Sequence, residues 1–170
     1  MRILLLIILL LSMLAQAKEN DNCGSNELSI ELAHLIINDK GQMRKTIRCN
    51  PILAKVAGQK AKIMAQNGMV NHDIEGSPNA RLEAAGYKLP HKYGTAFGNQ
   101  VESIAGGYSN AKSVWEAFKA SDGHRSHLLG LIPFFEEQDE IGVGFYKKND
   151  SPHEEYWVVY LAKGITKDQR

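Results

Sequence analysis

The feature that most constrains this fold is a short run near the C-terminus that is apolar on both faces. Residues 156–161 contain no charged or amide side chain, and so short a run suits a strand better than a helix. A second strand pattern precedes it, in which Ile141, Val143 and Phe145 alternate with glycine. The link between them, residues 147–154, contains Asn-Asp-Ser-Pro and predicts a hairpin loop. A strand that is apolar on both faces is typical of a sheet covered on both sides.

Helical patterns fill the chain before these strands. In residues 27–38, the apolar side chains of Leu28, Leu32, Leu35 and Ile36 would lie on one face of a helix. Three further segments carry a helical signal and begin with Asn or Ser in the capping position: residues 50–68, 77–86 and 110–120. Helices followed by strands that are buried on both faces predict an α/β fold, with helices on both sides of a sheet.

The N-terminus has the pattern of a secretory signal peptide. A positively charged start is followed by an apolar run over residues 3–14 and by small residues at Ala15 and Ala17. The apolar run is shorter than the roughly 20 residues that a membrane-spanning helix needs. We therefore expect residues 1–17 to be removed by cleavage near Ala17, leaving a secreted or periplasmic chain without a transmembrane segment.

The mature chain should form one domain. It is roughly 150 residues long, which is enough for a core of its own. We expect an N-terminal extension over residues 18–26, the domain over residues 27–163 and a C-terminal tail over residues 164–170. Without Arg2, 19 basic residues balance 19 acidic ones, which argues against a nucleic-acid partner. We expect a monomer.

Cys23 and Cys49 are the two cysteines of the chain. In an exported protein, a disulfide between them is the simplest interpretation. The bridge would tie the start of the mature chain to the start of a later helix, and chain entropy predicts a stabilisation of roughly 3 to 4 kcal/mol. Two unpaired buried thiols are the alternative.

Candidate site residues lie in three separate segments. His124 and His127 follow the last predicted helix, which would deliver His124 to a turn. His72 comes just after the helix that ends at Gly68, and Glu102 lies in a short apolar stretch. Two imidazoles and a carboxylate are enough to build a polar cleft, and we expect His127 to pack or cap beside it.

Ser121 is a candidate nucleophile because His124 follows it by three residues. The Gly-x-Ser-x-Gly pattern of a nucleophile elbow is absent from this segment. The sequence therefore gives little support to a serine hydrolase, and we assign Ser121 to the lining of the cleft.

Five motifs follow one another in a fixed order: a helix ending before His72; Arg81 with Ala85-Gly86-Tyr87; Glu102-Ser103-Ile104-Ala105; Phe118-x-x-Ser121-x-Gly123-His124-Arg125; and Ile141-Gly142-Val143-Gly144 with Tyr156-Trp157. In this order they resemble the CAP superfamily, which comprises the cysteine-rich secretory proteins, antigen 5 and the plant pathogenesis-related proteins. The domain is also called the SCP domain. The chain is most similar to its compact bacterial secreted members, over residues 27–162.

The resemblance implies a three-layer α-β-α sandwich with a central, mainly antiparallel sheet. It also implies a large cleft lined by two histidines and acidic residues. By motif, the histidines are His72 and His124, and the first acid is Glu102. The second family acid falls at Ser121 in this chain, three residues after Phe118, so the set of two histidines and two acids is incomplete.

Two uses of these residues stay open. His72 and His124 could bind Zn²⁺ weakly, either with Glu102 as a third ligand or in a half-open site. Alternatively, His72, Glu102 and His124 are candidate catalytic residues for acid/base chemistry, because a nearby carboxylate fixes the tautomer of a histidine. Spacing alone selects neither use.

Three functional classes also stay open, because one fold hosts many activities. We favour a binding module that takes a divalent metal ion and a small, lipid, sterol or peptide ligand in the cleft. The rival is a hydrolase, metal-assisted or histidine-based, that acts on peptide or cell-envelope material. The third class is a structural or interaction protein with a vestigial cleft.

Overall fold

The computed structural model describes residues 23–94 and 98–165. The predicted signal peptide, its cleavage near Ala17 and the last five residues of the predicted tail lie outside the described residues. Among the residues that are described, no helix is both long enough and apolar enough to cross a membrane.

Six α-helices and four strands lie in these described ranges. The helices are α1 (Glu27–Ile37), α2 (Pro51–Asn67), α3 (Pro78–Ala84), α4 (Ala111–Ala120), α5 (Asp122–Leu129) and α6 (Pro133–Glu136), with a 3₁₀ turn at His91–Tyr93. The strands are β1 (Arg48–Cys49), β2 (Glu102–Gly106), β3 (Glu140–Lys147) and β4 (Glu155–Ala162). The four predicted helices and the two predicted strands are thus confirmed.

The strands form one sheet in the order β1-β3-β4-β2. β3 and β4 are an antiparallel hairpin in which Val143 lies opposite Val159. β2 pairs antiparallel with the other side of β4, and the two-residue strand β1 runs parallel to β3. The sheet is therefore mainly antiparallel, and β2 lies at one of its edges.

Helices cover both faces of this sheet, which confirms the α/β sandwich. Every residue of β4 is buried, and its side chains alternate between two apolar clusters. Tyr156, Val158 and Tyr160 pack with residues of α2 and α3. Trp157, Val159 and Leu161 pack on the opposite face with residues of α1, α4 and α5.

Local capping signals set the ends of the helices. The Asn50 side chain accepts hydrogen bonds from the amides of Ile52 and Leu53, and Pro51 occupies the first helical position of α2. Gly68 ends α2 in the left-handed conformation, with φ of 65°. Since α2 ends there, the chain turns into the loop that carries His72.

The predicted disulfide between Cys23 and Cys49 is present, with the two Cα atoms 4.4 Å apart. Next to it, Gly24 forms a parallel bridge with Val143 in β3. Cys49 immediately precedes the capping residue of α2. The bridge thus joins the start of the described chain to the start of α2 and to the sheet.

Two glycines of β3 allow α2 to lie directly on the strand. A Cβ atom at Gly142 would lie 2.1 Å from the backbone nitrogen of Ala54, and one at Gly144 would lie 2.2 Å from the carbonyl carbon of Ala57. These distances are far below van der Waals contact, so no side chain fits at either position. Glycine alternates with apolar residues in this strand because α2 packs too closely to leave room for a side chain.

We predict that Gly142→Ala lowers the free energy of unfolding by about 2–3 kcal/mol or more, because the new methyl group meets backbone atoms that cannot move aside. Chemical denaturation measures the change. Gly123→Ala is the matched control, since its Cβ would meet no atom within 4 Å, and it should change stability by less than about 1 kcal/mol. Equal stability of the two variants would contradict this packing.

Candidate functional site

The predicted site residues line one cleft at the edge of the sheet. Its volume is about 260 Å³, and its lining includes His72, Glu102, Ser121, His124 and His127. Glu102 comes from β2, His72 from the loop after α2, and the other three from the junction of α4 with α5. The structure therefore brings together all five residues that the sequence singled out.

Glu102 holds the centre of this site. Its carboxylate side chain is fully buried, and both oxygens are engaged. Oε1 lies 2.8 Å from Nδ1 of His72. Oε2 accepts a hydrogen bond from the guanidinium of Arg81 at 2.9 Å and another from the hydroxyl of Tyr160. Because its partners are a cation, a phenol and an imidazole, the buried charge is compensated on every side.

The contact with Glu102 selects one tautomer of neutral His72. A carboxylate can only accept hydrogen bonds, so Nδ1 must carry the proton and donate it. The side-chain amide of Asn99 also lies 3.1 Å from Nδ1, but its nitrogen is itself a donor and cannot pair with a protonated Nδ1. Nε2 is therefore the ring nitrogen of His72 that keeps a lone pair for a proton or a metal ion.

Two cations hold the loop of His72 through its carbonyl groups. Lys60 of α2 donates to the carbonyl oxygens of His72 at 3.0 Å and of Ile74 at 3.3 Å. Arg81 donates to the carbonyl oxygen of His72 at 2.7 Å and also to that of Gly76. Lys60 is fully buried, and burial, followed by repulsion from Arg81, lowers its pKa to about 8. The position of His72 thus depends on two basic residues outside the cleft lining.

His124 lies in the first turns of α5, whereas we predicted a turn. Ser121 separates α4 from α5 in an extended conformation, with φ of −94° and ψ of 122°, so the chain resumes as a helix instead of continuing as a loop. The imidazole packs edge-on against Phe118, with ring centroids 5.0 Å apart. Burial, with a further contribution from His72, lowers its pKa. His124 is therefore neutral at pH 7 and able to act as a ligand or an acceptor.

His127 differs from His124 although it lies one turn away on the same helix. It is 5% exposed, and its Nδ1 lies 2.8 Å from Oγ of Ser103 on β2. Burial, followed by repulsion from the nearby Arg44 guanidinium, lowers its pKa to about 3. So weak a base cannot activate the serine hydroxyl, and this pair therefore joins α5 to the sheet as a structural contact. His127 thus packs beside the cleft.

Ser121 lines the cleft but is not paired with His124. Its amide donates to the carbonyl oxygen of Phe118, and its own carbonyl accepts from the amide of Arg125. No hydrogen bond joins its hydroxyl to a described histidine. The arrangement of nucleophile and base that a serine hydrolase needs is thus not formed by Ser121.

Lys60, Asn99, Ser103 and Tyr160 are site residues that the sequence analysis missed. Lys60 carried a usable signal, because it stands between Val56 and Met64 on the buried face of α2, where a charged residue is rare unless it is paired. Tyr160 was hidden in an apolar strand. Asn99 and Ser103 make contacts that no local pattern indicates.

Of the residues predicted as metal ligands, the cleft lining contains the two histidines, His72 and His124. Within residues 23–94 and 98–165, no group of three or more His, Cys, Asp or Glu side chains is arranged to hold a metal. Glu102 uses both oxygens in the contacts described above, so it supports His72 from behind instead of acting as a third ligand. Such a carboxylate partner fixes the orientation of a ligating histidine and raises its basicity.

A larger groove of about 890 Å³ lies on the outer surface between α1 and α4. Its floor contains Trp115, whose indole donates to Asp39, and Lys119 forms ion pairs with Asp39 and Glu116. The groove contains none of the predicted site residues. The smaller cleft is therefore the better candidate for chemistry.

Comparisons with known proteins bear on the fold alone. No model of a known protein family matches the chain, and no curated protein matches it. Among solved structures, it is similar to an outer surface protein from Borrelia burgdorferi. The two share 22% sequence identity with a TM-score of 0.59, over 80% of this chain and 91% of that one. The similarity extends over nearly the whole of that protein and supports the same arrangement of layers.

We predict that His127 makes stability depend on pH. Its pKa is about 3 in the folded chain and near 6.5 when unfolded, so unfolding takes up a proton between these values. The free energy of unfolding should therefore fall as the pH is lowered from 6.5 towards 3, by up to about 1.4 kcal/mol per pH unit from this residue.

Urea denaturation at a series of pH values measures this dependence. In His127→Gln the slope between pH 6.5 and 3 should be smaller than in the unaltered protein, although His124 acts in the same direction in both. His91→Gln is the control at an exposed position and should keep the original slope. Equal slopes of the free energy of unfolding against pH in all three proteins would contradict a buried, neutral His127.

Proposed function

We propose that this chain is a secreted CAP-type binding protein whose cleft binds a divalent metal ion weakly through His72 and His124. The observation that supports this most is the 2.8 Å contact between Glu102 and Nδ1 of His72. It leaves Nε2 of His72 with a free lone pair for a metal ion, in the same cleft as a neutral His124. Zn²⁺ suits two imidazoles, and the remaining coordination positions would be open to water or a ligand.

The proposed location outside the cytoplasm has separate support. The N-terminal pattern is that of a signal peptide, and the disulfide requires an oxidising compartment. One solved structure with a similar fold is an outer surface protein by its name.

A small, lipid or sterol ligand would enter the cleft beside the metal ion.

A hydrolase is the second candidate, because an oriented histidine is also the usual general base of hydrolytic enzymes. His72, held by Glu102, could remove a proton from water on a peptide or cell-envelope substrate. Turnover of a substrate panel that disappears in His72→Gln would favour this candidate. Absence of turnover at every pH between 5 and 9, in a protein that binds zinc, would favour the binding module.

Calorimetric titration of ZnCl₂ into the mature chain, residues 18–170, tests the metal site. We expect saturation near one equivalent, loss of the heat signal in His72→Ala and in His124→Ala, and an unchanged curve in His91→Ala. His91 is exposed and does not line the cleft, so it controls for binding by surface histidines. Identical curves for all four proteins would overturn the proposed metal site.

Glu102→Gln tests the supporting role of the carboxylate. The amide keeps the size of the side chain but removes the charge that orients His72, so we expect zinc affinity to fall about 10- to 100-fold. Thermal unfolding must show that the variant is folded, since Arg81 loses its charge partner. An unchanged affinity in a folded variant would show that Glu102 has no part in the site.

A further inference from the structure

The cleft opens at an unpaired edge of the sheet. β2 pairs with β4 on one side, and no described strand lies on its other side. An edge strand presents outward N–H and C=O groups that can pair with another chain. Of the residues of β2, Glu102 and Ser103 line the cleft of the candidate site.

The hydrogen bonds at its two ends show which residues of β2 face outward. Leu161 donates to the carbonyl oxygen of Val101 at 2.9 Å, and Gly107 donates to that of Glu155 at 3.0 Å. Because bonded and non-bonded pairs alternate in an antiparallel ladder, Ser103 and Ala105 must bond to β4. The backbone groups of the intervening residues, Glu102, Ile104 and Gly106, point away from the sheet.

At Glu102, the side-chain amide of Asn99 makes the two hydrogen bonds that a neighbouring strand would make. Oδ1 of Asn99 accepts a hydrogen bond from the amide of Glu102 at 2.9 Å, and its Nδ2 donates to the carbonyl oxygen of Glu102 at 3.2 Å. The outward groups of Ile104 and Gly106 form no hydrogen bond with any other described residue. The edge therefore already binds one amide group, and further outward groups lack a partner among the described residues.

The two histidines stand on opposite sides of this edge. Glu102, which contacts His72, lies opposite Tyr160 on the sheet face covered by α2 and α3. Ser103 points to the other face, where it meets α5, the helix that carries His124. Since successive side chains of a strand point to opposite faces, a chain laid along this edge would direct one side chain towards His72 and the next towards His124.

We propose that the free edge of β2 binds an extended peptide segment by strand addition, with one end of the segment entering the cleft between His72 and His124. Main-chain hydrogen bonds to Ile104 and Gly106 give affinity without sequence preference, and the two histidine-lined sides of the cleft read alternate side chains. This peptide site goes beyond the proposed metal site. It shares His72 and His124 with that site, but its main-chain hydrogen bonds involve no metal ion.

Amide hydrogen exchange followed by NMR tests the proposal on the ¹⁵N-labelled mature chain. The probe is a blocked heptapeptide of alternating threonine and valine with a lysine at each end. We expect the peptide at millimolar concentration to slow exchange of the Ile104 and Gly106 amides at least about tenfold. The amides of Ser103 and Ala105, which bond to β4, serve as internal controls and should not change.

Three further comparisons separate strand addition from other binding. The same peptide with every internal nitrogen methylated cannot donate hydrogen bonds and should give no protection. In Asn99→Ala, the protection should extend to the amide of Glu102, because the Asn99 side chain no longer accepts its hydrogen bond. In the unaltered protein treated with EDTA, which removes any bound metal ion, protection of Ile104 and Gly106 should persist, so failure of the metal site and of the peptide site are distinguishable.

The proposal is overturned by any of three results. The first is no protection of Ile104 and Gly106 at any soluble peptide concentration. The second is equal protection by the methylated peptide. The third is peptide binding that changes only residues distant from β2.

Discussion

The buried carboxylate of Glu102 is the interaction on which the site depends. It lies on an edge strand, without solvent, where an unpaired charge would be strongly unfavourable. The guanidinium of Arg81 supplies the opposite charge, and both Arg81 and Tyr160 donate hydrogen bonds to it. Burial together with Glu102 raises the pKa of Tyr160, which keeps the phenol a donor. The remaining oxygen is directed at His72. A single residue therefore joins the sheet, α3 and the loop of His72 into one network.

Because of this network, the two histidines of the cleft are held in different ways. His72 has a fixed orientation, whereas His124 is positioned by packing against Phe118 and lacks a carboxylate partner among the described contacts. Ser121 stands where the resemblance to the CAP superfamily implies a second acid, and a hydroxyl is a weaker metal ligand than a carboxylate. In the proposed metal site, two imidazoles with one orienting carboxylate would give weak, half-open coordination, and the proposed peptide site would lie along the edge of β2.

The sequence predicts those parts of the fold that local chemistry determines. Asn50, Pro51 and Gly68 define α2 because capping acts within a few residues, and β4 is recognisable because it is apolar on both faces. The site residues His72, Glu102 and His124 were predicted from motifs, yet their contacts were not. The pairs Glu102 with Tyr160 and Ser103 with His127 join residues 58 and 24 positions apart, and no periodicity encodes such a distance. The partners of Lys60 were equally unpredictable, since they are backbone carbonyl oxygens of a loop.

The central claim is that Glu102 holds neutral His72 with its proton on Nδ1. Two-dimensional ¹H–¹⁵N correlation spectra of the imidazole rings, recorded on the mature chain at alkaline pH, identify the protonated nitrogen directly. We predict a pyrrole-like Nδ1 and a pyridine-like Nε2 for His72 in the unaltered protein. We also predict a shift towards the Nε2–H form in Glu102→Gln. A His72 ring protonated at Nε2 in the unaltered protein would contradict the claim.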